Sequence, residues 1–141
     1  MKERLFMTGQ PNVDKILKEW ILKADRDLKT SSHLLKIKDV DLFDSICFHC
    51  QQAAEKYLKS LFVYRQVEFP RSHDISLLLE KLPPQDQLHF RNLDLTEFNP
   101  FAVDMRYPGE IESIDVESVL RIFNLATKVQ SIVKNLISQK I

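Results

Sequence analysis

Apolar residues recur every three or four positions through three long stretches of this chain, the spacing that gathers them on one side of an α-helix. In the first stretch, Val13, Ile16, Leu17, Trp20, Ala24, Leu28, Leu34 and Leu35 form the stripe. Lys15, Lys18, Asp25, Arg26 and Lys29 take the other side. This predicts a helix over about 13–36, with Asn12 as its N-cap. A second helix is expected from Asp41, read as its cap, to about Tyr64. Its apolar positions are Leu42, Phe43, Ile46, Cys47, Cys50, Ala53, Ala54, Tyr57, Leu58, Leu61 and Phe62. The small residues among them let neighbouring helices come close, which marks this helix as the central one. The third stripe runs Val116, Val119, Leu120, Phe123, Ala126, Val129, Val133, Leu136 and Ile137, predicting a helix over about 115–138.

Between the second and third stripes the pattern shortens. Pro70 disfavours helix at the residue before it, so 67–71 reads as a connection. Ser72 is expected to cap a short helix carrying Ile75, Leu78, Leu79 and Leu82. Pro83 and Pro84 end that helix, and Pro84 suits the first position of a fourth piece reaching about Leu95. From 96 to 113, aromatic residues alternate with Pro100, Pro108 and Gly109, and a long irregular connection is expected. The fold class is therefore all-α: an antiparallel up-and-down bundle of three long helices and two short ones. Residues 1–12 read as an arm and 13–141 as a single domain.

Composition narrows the function classes. The only two glycines, Gly9 and Gly109, are too far apart for a glycine-rich phosphate loop. Lys plus Arg equals Asp plus Glu at 20 each, so bulk electrostatic capture of a long nucleic acid loses support. No run of about 18 apolar residues is present, so no membrane partner is expected. The opening residues Met1 to Phe6 lack the apolar run of a secretion signal, and with two cysteines a cytoplasmic location is expected.

Candidate chemistry is sparse. Cys47 and Cys50 form a C-x-x-C pair, but it lies inside a helix with no second pair to complete a zinc site, so no metal is expected. His49 borders the packed face and reads as a satisfied histidine or as a base. His73 and Asp74 open the short helix, where backbone N–H groups attract anions, unless Ser72 or Asp74 serves only as the cap. Lys56 and Lys59 with Arg65 and Arg71 would make a basic strip. A solvated face with pairs such as Glu55 and Lys59 accounts for the same residues. Arg106 and Tyr107, held by Pro108, offer a guanidinium suited to phosphate or an ion pair with Asp104.

Three blocks carry a resemblance. The run from Cys47 through Gln51, Gln52, Ala53, Ala54, Glu55, Lys56 and Tyr57 to Leu61 is one. Pro70-Arg71-Ser72-His73-Asp74-Ile75 is the second, and Asp104-Met105-Arg106-Tyr107-Pro108 the third. Together, and in this order, they resemble HEPN domains from about Asp14 to Leu136. The resemblance implies a helical bundle that forms a homodimer, often beside a minimal nucleotidyltransferase, and that associates with nucleotide or RNA. Some members are metal-independent ribonucleases acting as toxins, and these use an Arg followed four to six residues later by His. Here Arg106 is followed by Tyr107, Pro108, Gly109, Glu110, Ile111, Glu112 and Ser113, with no His. The expectation is a non-catalytic nucleotide- or RNA-associated helper, with no cofactor beyond a nucleotide ligand. Its expected ligand residues are His73, Asp74, Arg106, Tyr107, Lys56 and Lys59. One alternative is a ribonuclease with a rearranged set, Arg106 with His73 or His49. The other is a dimerising scaffold with no small ligand.

Overall fold

The computed structural model describes residues 11–102 and 114–138. Among these, five α-helices follow one another: α1 (Pro11–Ile37), α2 (Phe43–Arg65), α3 (Ile75–Lys81), α4 (Pro84–Gln87) and α5 (Val116–Ser138). Short 3-10 segments at Val40–Leu42, Leu88–Phe90 and Leu95–Phe101 fill the connections. No strand occurs among the described residues. The all-α bundle of three long and two short helices is the fold.

α2 occupies the middle. It packs along α1 on one side and α5 on the other, while α1 and α5 touch each other little. Ser31, late in α1, donates its hydroxyl to the carbonyl of Ile46, early in α2, at 3.0 Å. Asp25, six residues earlier, instead meets Tyr57, further along α2. The two helices are therefore antiparallel. The segment Leu95–Phe101 packs on α2, α3 and α5, and brings Phe98 into the core, which also buries Phe90, Phe62 and Tyr57 completely. Each fully buried side chain of this size contributes about 1.5–3 kcal/mol of apolar transfer free energy.

Several local expectations are corrected. Asn12 is not the N-cap, because α1 already includes Pro11, whose missing N–H costs nothing at a helix start. Asp41 does not cap α2. Asp39 caps the 3-10 turn before it, accepting from the Asp41 amide at 3.0 Å, and α2 itself begins at Phe43. Asp74, rather than Ser72, caps α3 by accepting the amides of Ser76 and Leu77. The hydroxyl oxygen of Ser72 accepts the Asp74 amide at 3.0 Å instead. The region expected to be irregular from 96 is helical up to Phe101, despite Pro100. Residues 103–113 and residues 1–10 of the arm expected at 1–12 lie outside the described residues, while Pro11 and Asn12 belong to α1.

Three stripe positions also differ. Ile16, Val116 and Leu120 are 45%, 52% and 43% exposed, and the buried stripes pass instead through Ile21, Ile122 and Leu125. With few glycines in the chain, left-handed backbone falls on other residues: Lys38 at φ 60° after α1, and Gln66 at φ 56° after α2. At the second site the Val67 amide reaches back to the Phe62 carbonyl at 2.9 Å, a closure usually made around glycine. That closure ends α2 and directs the chain into the 67–74 connection.

Candidate functional site

Because α2 is flanked on both sides, polar residues on it are drawn away from water. Gln51, Glu55 and Lys59 recur at every fourth position, which places them on one stripe, and all three are buried. Glu55 is the hub. Its carboxylate accepts from Lys59 Nζ at 2.9 Å and from Gln51 Nε2 at 3.2 Å. It also faces His73 Nδ1 at 3.0 Å. Burial alone would raise the Glu55 carboxyl's pKa, but these donors, Lys59 first, hold it below the ordinary value. The Lys59 ammonium also lies over aromatic rings, 5.7 Å from the Trp20 centroid and 5.5 Å from that of Phe69.

His73 bridges this interior to the surface. An ionised carboxylate can only accept, so the proton on the side facing Glu55 sits on His73 Nδ1. The Gln51 amide also donates to the His73 carbonyl at 3.3 Å, which fixes the backbone there. The imidazole is 77% exposed, and Nε2 has no hydrogen-bond partner among the described residues. A histidine held at one nitrogen by a carboxylate and open at the other can accept or donate a hydrogen bond to a ligand in a fixed direction.

Two further networks tie α2 to its neighbours. Asp27 of α1 accepts from His49 Nδ1 at 3.0 Å and from Lys56. Burial opposes ionisation of Asp27, but hydrogen bonds from His49 and Lys56 bring its pKa below the ordinary range. Asp25 accepts from the Tyr57 hydroxyl, from Gln130 Nε2 at 3.1 Å and from Lys134 Nζ at 3.0 Å. Burial and the Asp25 charge push the Tyr57 phenol far above its usual range, so it acts as a donor that joins three helices.

The expected site residues separate on this basis. Lys56 and Lys59 are each bound to an internal carboxylate, and Arg65 grips Asp86 through two nitrogens at 2.9 and 2.7 Å. The pair Glu55–Lys59 exists, but it is buried rather than on a solvated face. Of the basic strip only Arg71 remains outside any ion pair among the described residues. Asp74 spends its carboxylate on the α3 cap. His49 is held on Asp27, away from the Glu55 hub. Arg106 and Tyr107, with Asp104, lie outside the described residues. Cys47 and Cys50 are buried and free of a disulfide, and burial pushes the Cys50 thiol up to about 11. Among the described residues no three His, Cys, Asp or Glu side chains converge as a metal site would need. Nor is any helix there long and apolar enough to cross a membrane.

Sequence reasoning missed the hub. Glu55 and Lys59 read there as a pair on a solvated face, and Gln51 only as part of the resemblance. The usable signal was that they share α2 with apolar residues on nearly every other side, so a polar stripe there had to be internal.

The all-helical bundle accords with a comparison to known proteins. The family model of the HEPN domain matches residues 17–136, most of the chain and nearly all of the bundle. No curated protein and no solved structure matches the chain significantly. The chain belongs to the HEPN domain family.

Proposed function

We propose that this HEPN-domain protein is a non-catalytic helper that associates with a nucleotide or RNA, acts as a homodimer, and works with a minimal nucleotidyltransferase. The observation that carries this reading is His73, fixed from behind by Glu55 and presenting its second nitrogen at the surface. A polar contact that is pre-oriented in this way loses little freedom when a ligand arrives. The stretch after Arg106 lacks the histidine that a family ribonuclease would use as acid and base, which supports a binding role over a catalytic one. Arg106 and Tyr107 belong to the proposal as ligand contacts on their residue types.

Thermal melts of the pure protein with ATP, GTP, their monophosphates and a short RNA, each with and without magnesium, test the reading. A ligand at about 100 times its dissociation constant adds roughly 2.7 kcal/mol. For a domain of this size that raises Tm by several degrees. The shift is expected to shrink in Arg106→Ala and His73→Ala variants. A flat panel with well-folded protein would favour a dimerising scaffold. Cleavage of the RNA without metal would favour a ribonuclease. Repeated purification from the native host without any nucleotidyltransferase would remove that partner.

A further inference from the structure

Lys56, Lys59 and Arg65 are each held by an acidic side chain, whereas Arg71 and Lys81 lie exposed at the surface. An open groove of about 470 Å³ lies beside the α2–α3 connection, lined by Glu68, Phe69, Pro70, Arg71 and Lys81. Its size falls within the range of small-molecule sites. Arg71 and Lys81 make no ion pair or hydrogen bond among the described residues, in contrast to Lys56, Lys59 and Arg65. The larger groove, about 550 Å³ along α5, differs in that its Arg121 is already held by Glu97 at 2.6 Å.

The walls of the smaller groove are fixed. Phe69 meets Trp20 edge to face at 5.7 Å and Phe62 at 6.0 Å, which anchors the connection to the core. Pro70 restricts its own backbone, and its carbonyl accepts the Ser72 amide at 3.0 Å, closing a tight turn around Arg71. Arg71 therefore projects from a braced segment, and Lys81 ends a helix whose start is capped by Asp74.

We propose that this groove binds a sugar phosphate monoester, with the phosphate on Arg71 and Lys81 and a sugar hydroxyl on Glu68. A monoester carries about −1.5 to −2 charge at pH 7, which two cations match better than they match a diester. Arg supplies a planar fork and Lys a point charge, a usual division of labour on phosphate. Glu68 decides the class of ligand. A carboxylate at the rim repels bare phosphate, whereas it accepts hydrogen bonds from sugar hydroxyls. The proposal rests on the nucleotide- or RNA-associated reading above and names where the phosphate goes. A free mononucleotide and the 5′-phosphorylated end of an RNA present the same chemistry.

Isothermal titration with AMP, adenosine, inorganic phosphate, and a trinucleotide with or without a 5′-phosphate tests this. AMP is expected to bind, with adenosine at least tenfold weaker. The Arg71→Ala/Lys81→Ala variant is expected to lose at least tenfold for AMP while melting like wild type. Changing Lys15 and Lys18, which line a separate groove on α1, is expected to leave AMP binding unchanged. Glu68→Ala is expected to weaken AMP and strengthen inorganic phosphate, a crossing of effects that loss of fold cannot produce. Tighter binding of the phosphorylated trinucleotide than of AMP identifies the source as an RNA end, and the reverse order identifies a free nucleotide. AMP binding that survives the double substitution overturns the groove and leaves the nucleotide reading standing. Failure of every probe to bind wild-type protein overturns both.

Discussion

Glu55 and Asp86 are both carboxylates withdrawn from water, at 3% and 0% exposure, yet the structure employs them differently. Asp86 is closed. Arg65 engages both of its oxygens, and this joins the end of α2 to α4. Glu55 is shared among Lys59, Gln51 and His73, and the last of these reaches the surface. Burying a charge is costly in either case, so each carboxylate must be matched by donors. At Asp86 the match ends in a structural clamp. At Glu55 it ends in a side chain that water, or a ligand, can touch. A buried ion pair alone therefore says little about function; what matters is whether its hydrogen-bond chain ends inside or outside.

The largest expected effect breaks the closed side of this comparison. Arg65→Ala removes the partner of a wholly buried carboxylate and is expected to cost about 3–5 kcal/mol. Urea denaturation measures it. The ligand-induced Tm shift should persist at temperatures where the variant is folded, because Arg65, only 23% exposed, spends its guanidinium on Asp86. A loss of under about 1 kcal/mol would show that Asp86 gains water or another donor, and the clamp would lose its importance.

This contrast was only half legible in the sequence. The stripes of α1, α2 and α5 are long and periodic, so the number, order and centrality of the long helices follow from them. Helix ends were less visible because several residues compete for each cap. Asp39, Asp41, Ser72 and Asp74 are all competent, and only the path of the chain decides among them. The polar hub was hidden for another reason. Glu55 and Lys59 at a four-residue spacing look like an ordinary surface pair, and burial depends on α1 and the 67–74 connection covering that side. Asp86 gave no sign at all, since its partner lies 21 residues away.

A smaller effect sharpens the open side. Glu55 has its pKa lowered in the folded state by Lys59 and His73, so its stabilising contribution is present above the ordinary value of 4.5 and is lost as pH falls through the folded pKa. Asp27 behaves alike, beginning lower, from its ordinary value of 3.8. The double variant Glu55→Gln/Lys59→Met removes both charges together and is expected to lie within about 2 kcal/mol of wild type at pH 7. It should lack the first part of the acid-induced loss and retain the part that Asp27 contributes. Urea melts between pH 3 and 7 would show this as a flatter curve. An unchanged acid limb would mean that Glu55 stays ionised in neither state more than the other, contrary to its donors.

The smallest expected effect on stability is the one that separates anchoring from contact. His73 is mostly exposed, so His73→Ala should cost under about 1 kcal/mol. The ligand-induced Tm shift should nevertheless fall, because the outward nitrogen is gone. His73→Asn makes the distinction sharper: its side-chain amide can still donate to Glu55 in place of Nδ1, but nothing replaces Nε2. The Asn variant is therefore expected to recover the wild-type melt while leaving the ligand shift reduced. If Asn restores both, the outward nitrogen makes no contact, and the hub around Glu55 is a clamp like that around Asp86. If Ala lowers the melt by as much as Arg65→Ala does, His73 serves the interior, and its exposed edge is incidental.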